Sequence, residues 1–197
     1  MNEQILLDLS CAIFKETPFP YFSCSSVLSG GLEKDLYAWL QETDSWSLTR
    51  ESFYTQFEFS FFDVILPANL QFLASDQTIK EIGRQFISFF RLQSVQFVGL
   101  TAHKLVDGHQ IGVHNDYIGG DETHRLVIQI NPEWNESNGG FLMLFNSPDS
   151  KDIATIIRPL NNTAVGFEIS DGSYHAVSRV NNFSRYTLVY TFKGERV

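Results

Sequence analysis

From residue 95 onward the chain is a succession of short apolar runs, at 95–105, 110–114, 125–130, 141–145, 153–157, 163–169, 174–180 and 185–192. Each is closed by residues that accept turn geometry: Asp107-Gly108, Gly119-Gly120-Asp121, Asn138-Gly139-Gly140, Asn161-Asn162 and Asp171-Gly172. Runs of this length, rich in β-branched and aromatic residues and recurring at this interval, are too short for helices and predict antiparallel strands. Eight of them predict a sandwich or barrel, with the texture of a jelly roll.

The first 94 residues read differently. Leu32, Leu36, Trp39 and Leu40 have helical spacing, as do Ile79, Ile82, Phe86 and Phe90 behind a Ser75-Asp76 cap. Between them Phe57, Phe59 and Phe61 alternate with Glu58 and Ser60, which predicts a strand with one buried aromatic face. No repeat, low-complexity segment or Pro/Gly/Ser-rich linker divides the 197 residues. The expected architecture is therefore one domain over 1–197, mainly β with supporting helices (α+β). In it a helix-rich N-terminal support (1–94) precedes a β core (95–197).

Composition excludes several classes. With 43% hydrophobic and 19% charged residues the chain can bury a core, and disorder is excluded. Its 14 basic residues against 23 acidic ones give a charge of −9, which repels a phosphate backbone, so no nucleic-acid partner is expected. No apolar run approaches the roughly 20 residues of a membrane helix. The start, Met1-Asn2-Glu3-Gln4, has an acidic residue where a secretory signal carries Lys or Arg, which predicts a cytoplasmic protein. Two cysteines, Cys11 and Cys24, build neither a disulfide framework nor a Cys-rich zinc site.

All five histidines lie in the β-rich half. His114 and Asp116, two apart in a strand, would project to one face and converge on an ion. A lone His-x-Asp is weak evidence and needs a third ligand. His175, in Ser173-Tyr174-His175-Ala176-Val177, is reachable across a small barrel. Two imidazoles and a carboxylate leave octahedral positions open, as in the triad of non-haem Fe(II) oxygenases. Ten residues on, Arg185 and Thr187 share a strand face and offer a guanidinium and a hydroxyl to one carboxylate; Arg179 is the competing clamp. Taken singly, each of these residues is more often a hydrogen-bonded polar group on a strand. His109 is expected to be structural and His124 solvated in a charged turn. His103, which shares a face with Leu105, can point inward.

The order His114-x-Asp116, Asn138-Gly139-Gly140-Phe141-Leu142, His175-Ala176-Val177, Arg185-Tyr186-Thr187 resembles the 2-oxoglutarate- and Fe(II)-dependent oxygenases of the prolyl-hydroxylase-like group. The resemblance covers about residues 97–193, including Arg125 to Asn131 followed by Trp134. More loosely, Pro18-Phe19-Pro20 and the helix after it resemble the helical support in many members. The resemblance implies a double-stranded β-helix and the cofactors Fe(II), 2-oxoglutarate and O2. It implies His114, Asp116 and His175 as catalytic metal ligands, and Arg185 and Thr187 as ligands of the distal cosubstrate carboxylate. Leu105 stands where members often carry Tyr, and Gln129 is the expected replacement donor. His103, Arg125 and Trp134 are candidate substrate or supporting residues. The implied reaction is hydroxylation of an unactivated C–H in an amino acid, a proline-like peptidyl residue or a small biosynthetic intermediate, releasing succinate and CO2. Desaturation, cyclisation or demethylation at the same site, and a non-catalytic jelly-roll binding module, are the alternatives. The relatives that demethylate nucleic acids carry a second Arg where this chain has Thr191.

Overall fold

A computed structural model describes residues 6–196. Two antiparallel sheets face each other. The larger combines strands from both halves of the chain in the order β1 (Ile13–Lys15), β2 (Tyr21–Ser25), β10 (Thr163–Glu168), β7 (His124–Ile130), β12 (Arg185–Glu195), β5 (Ser94–Leu105), β4 (Thr55–Ser60) and β3 (Ser47–Arg50). The smaller runs β6 (Ile111–His114), β11 (His175–Val177), β8 (Leu142–Phe145) and β9 (Ile153–Ile157). This is the jelly-roll arrangement expected from the strand spacing.

Strand alternation explains where the core sits. Along β12, Tyr186, Leu188, Tyr190 and Phe192 point to the outer face, where they join one apolar cluster with the helices. Arg185, Thr187, Val189 and Thr191 point between the sheets. Covered on both faces, the first eight residues of β12 are all buried. Helix α2 (Asp76–Phe90) starts where the Ser75 side chain accepts from Thr78 N, and buries Ile82, Phe86 and Phe90. Helix α1 (Leu32–Glu42) buries Leu32, Leu36 and Leu40, with Trp39 edge-on to Phe59 and Phe61.

Four differences from the sequence reading matter. The N-terminal support contributes four strands to the larger sheet rather than one, because β1 and β3 are short exposed edges without apolar alternation and β2 lies in the Pro-rich opening. The aromatic strand ends at Ser60, with Phe59 and Phe61 buried but Phe57 only half-buried and stacked on His109. The run 174–180 forms a strand only over His175–Val177. His124 is not solvated: it opens β7, is 2% exposed, and packs on Phe86 and Phe90 of α2.

Candidate metal and cosubstrate site

His114 ends β6 and His175 begins β11, and the two are direct register partners with ring centroids 4.2 Å apart. Asp116 reaches them by a route the spacing argument did not foresee. The strand has already ended, and Asp116 adopts a left-handed backbone (φ 57°), a conformation Asp tolerates better than most residues. Asn115 fixes that turn, with its Nδ2 donating to Asp171 O and its carbonyl accepting from Ser173 Oγ. The carboxylate thereby lies 3.3 Å from His114 Nε2 through Oδ1 and 3.1 Å from His175 Nε2 through Oδ2.

The donor chemistry fits a divalent cation. His114 Nδ1 lies 2.9 Å from Gly112 O and His175 Nδ1 2.8 Å from Ser173 O. A carbonyl only accepts, so each Nδ1 carries a proton and, in the neutral ring, each Nε2 presents a lone pair. Two lone pairs facing a carboxylate need a cation between them or extra protons on the rings. Bonds of about 2.1 Å would set adjacent octahedral ligand atoms roughly 3.0 Å apart, close to the separations found. Burial would raise the Asp116 carboxyl, but contacts with both imidazoles and the Arg125 charge outweigh it and hold it well below the usual carboxylate range. Burial pushes the His175 ring down, favouring the neutral, ligating form. Arg125 supports the triad from beside it, with Nη1 2.6 Å from Asp116 Oδ2 and Nη2 2.6 Å from Glu122 Oε2.

A cavity of about 490 Å³ opens from the triad between the sheets. Arg185 and Thr187 line it, 4% and 2% exposed. Arg185 has no ion-pair partner among the described residues, and its buried Nε has no hydrogen-bond acceptor. Burial lowers it to about 10, so it stays charged at neutral pH. A buried unpaired guanidinium costs several kcal/mol unless an anion joins it. This orphaned charge fits the distal carboxylate of a 2-oxo diacid. Gly140 makes room for it: its φ is 69°, and a Cβ there would stand 2.9 Å from Arg185 Cδ, whereas a Cβ on Gly139 (φ 63°) would meet the Arg179 carbonyl instead.

The remaining candidates separate. Gln129 is fully buried opposite Thr187, its Oε1 accepting from Asn131 Nδ2 and its Nε2 unpartnered. His103 lines the cavity, with Nε2 3.0 Å from Thr101 Oγ1; burial pushes its ring down to about 4. Trp134 lies outside the cavity lining, where its indole Nε1 donates to Gly139 O and its ring packs on Phe141. Leu105, where relatives often have Tyr, is buried beside Arg185 and offers it no hydroxyl. Phe53, Tyr54, Gln56 and Glu58 also line the cavity, and the sequence reading missed all four. The alternation at 55–60 held the signal for Gln56 and Glu58, since a strand with one aromatic face must present its other residues to the opposite side. A groove of about 740 Å³ between β2, β10 and β9 contains none of the triad.

A jelly roll that brings a His-Asp-His triad and a buried unpaired arginine to one cavity offers the donor set of a 2-oxo-acid-dependent non-haem iron oxygenase. Residues 100–193 match the 2OG-Fe(II) oxygenase superfamily. Over that segment the chain resembles the superfamily and its prolyl-hydroxylase-like members, and the cofactors of that family are Fe(II), 2-oxoglutarate and O2. Over 70 residues it is 34% identical to the Xenopus laevis prolyl 3-hydroxylase OGFOD1, a match spanning 34% of this chain and 14% of that protein. A Pseudomonas putida prolyl-4-hydroxylase has a similar structure, with TM-score 0.69 and 19% identity over 89% of this chain and 92% of that one. So does a Trichoplax adhaerens prolyl hydroxylase in complex with a hypoxia-inducible-factor peptide, with TM-score 0.69 and 12% identity over 88% and 83%.

Proposed function

We propose that this dioxygenase hydroxylates an unactivated C–H of an amino acid, a proline-like peptidyl residue or a small biosynthetic intermediate. The observation that carries the reading is a single cavity with the metal triad at one place on its wall and an unpaired, buried Arg185 at another. When bound, Fe(II) and 2-oxoglutarate supply the oxidising chemistry, in which O2 yields succinate, CO2 and a hydroxylated substrate.

The chain's own residues prepare that chemistry. His114 and His175 are oriented by their Nδ1 contacts with backbone carbonyls, so that each Nε2 can hold the metal with Asp116. Arg125 keeps the Asp116 carboxylate in position. Arg185, with Thr187 on the same strand face and Gln129 buried opposite Thr187, would bind and orient the distal carboxylate and so preorganise the cosubstrate. Apolar Val127, Leu142 and Phe167 wall the cavity and exclude water. We take 1–197 as one folding unit with its catalytic core in 95–197. No described helix is long and apolar enough to cross a membrane. We assign the protein to the cytoplasm, where the thiols of Cys11 and Cys24 stay free.

The test is an anaerobic titration with Fe(II) and 2-oxoglutarate, watched for the visible charge-transfer band of a chelated keto acid. A band that needs both components and is lost in His175→Ala supports the reading. Its absence from folded protein would leave a jelly-roll binding module.

A further inference from the structure

The cavity has a second polar wall, formed by residues other than the triad and Arg185. Gln56 and Glu58 lie two residues apart on β4, and both line the cavity. Glu58 is held rigidly: Oε1 accepts from Thr49 Oγ1 at 2.8 Å and Oε2 from Gln56 Nε2 at 2.6 Å. Because a carboxylate only accepts, the Gln56 amide must turn its NH2 to Glu58 and its oxygen away. Gln56 is 5% exposed, and its Oε1 is buried without a hydrogen-bond partner. Leaving such an acceptor unpaired is destabilising. A network with a purely structural purpose closes on itself, whereas this one ends in a carboxylate and an unsatisfied amide oxygen at the cavity wall.

The charges around the cavity are unequal. Its lining carries three carboxylates, on Glu58, Asp116 and Glu122, and two guanidiniums, on Arg125 and Arg185. Arg125 is engaged by Asp116 and Glu122 together, and Arg185 lies where the cosubstrate carboxylate belongs. A divalent metal and a doubly charged 2-oxo diacid cancel, so one negative charge remains, and it falls on Glu58. Among the described residues the one basic side chain within 4.0 Å of Glu58 is His103, half-buried, with Nε2 4.0 Å away and its ring neutral at physiological pH. Glu58 is half-buried, so water screens it only in part, and a cation brought to the cavity wall is attracted to it.

We propose that the Gln56–Glu58 wall binds a protonated amine or guanidinium on the substrate, so that substrates of this oxygenase carry a cationic N–H donor. Glu58 supplies the charge and Gln56 Oε1 a second acceptor, and β4 fixes both on the wall of the cavity that holds the triad. This inference rests on the oxygenase reading and adds to it the chemical class of group that the substrate must present. A lysyl-type ammonium and an arginyl-type guanidinium share the required chemistry.

The test is calorimetric titration, without O2, of the protein loaded with Mn(II) and 2-oxoglutarate. The probes are Nα-acetyl-lysine amide, Nα-acetyl-arginine amide and the neutral isostere Nα-acetyl-norleucine amide. At least one cationic probe is expected to bind tenfold or more tightly than norleucine, and the tighter of the two identifies ammonium or guanidinium. Glu58→Gln is expected to abolish the difference while leaving 2-oxoglutarate affinity and melting temperature near those of the parent. No preference for either cation, including no measurable binding of all three probes, overturns the proposal, as does a preference that survives Glu58→Gln in folded protein. The lysine and norleucine comparison on the unsubstituted protein needs no variant, so it decides the matter even if Glu58→Gln fails to fold. Binding of 2-oxoglutarate, titrated before any probe is added, reports on the oxygenase reading separately.

Discussion

Gly140 lies against the stem of Arg185: a methyl group on its Cα would stand 2.9 Å from Arg185 Cδ and 3.4 Å from Val180 Cγ2. Its φ of 69° is also one that side chains with a Cβ rarely adopt. Gly140→Ala is therefore expected to cost about 1–2 kcal/mol of stability through strain at a positive-φ site. It should also raise the half-saturating 2-oxoglutarate concentration about tenfold by displacing the guanidinium, while Fe(II) affinity stays within about twofold. Steady-state succinate formation and metal titration check the two halves. An unchanged 2-oxoglutarate requirement would detach Gly140 from the clamp.

Arg185 itself should show opposite effects on stability and binding. With no anion bound, its buried charge has no partner among the described residues, so Arg185→Met should raise the stability of ligand-free protein by about 2 kcal/mol. The same change should weaken 2-oxoglutarate binding about a hundredfold, because the charge-assisted pair is gone. Chemical denaturation with and without 2-oxoglutarate measures both effects. A Met variant less stable than its parent in the absence of ligand would show that Arg185 already has a stabilising role.

Arg125 donates to Asp116 and Glu122 and so acts on the site through the Asp116 carboxylate. Arg125→Met should therefore lower Fe(II) affinity about 10–100-fold by freeing the carboxylate to turn, as loss of a ligand's hydrogen-bond support does elsewhere. A titration with Mn(II), read by its electron spin resonance, gives the affinity directly. Metal affinity unchanged from the parent would mean that the Asn115 turn alone holds Asp116 in place.

What could be read from the sequence, and what could not, follows from how local each feature is. The strands after residue 94 are bounded by Gly, Asn and Asp turns, so spacing alone located them to within a few residues. His114 and His175 were legible because one strand pair carries them face to face. Asp116 was identified as a partner for a reason that does not hold, since its approach depends on a left-handed turn and not on strand alternation. Gln56 and Glu58 were passed over because the phenylalanines that alternate with them dominated the pattern of that strand. His124 was misread because its neighbours Asp121 and Glu122 suggest solvent, while the phenylalanines that cover it come from α2, more than thirty residues away in sequence.

The burial of His124 has a consequence for stability against pH. Desolvation, with the Arg196 charge adding to it, pushes the ring down to about 4 from an ordinary value near 6.5. In the folded protein its Nδ1 contacts Thr123 Oγ1, while Nε2 is buried without a partner and has no acceptor waiting for a second proton. The folded state therefore favours the neutral ring, and the unfolded chain takes up the proton first as pH falls. Stability from this residue is fully present above about pH 6.5 and is lost between there and about pH 4, amounting to about 2 kcal/mol by pH 5. His124→Phe, which cannot protonate and keeps the aromatic contact with Phe86 and Phe90, should lose about 2 kcal/mol less than the parent between pH 7.5 and pH 5. Urea denaturation at the two pH values measures that difference. Parallel losses in the two proteins would place the acid sensitivity elsewhere, with His103 as the next group to substitute.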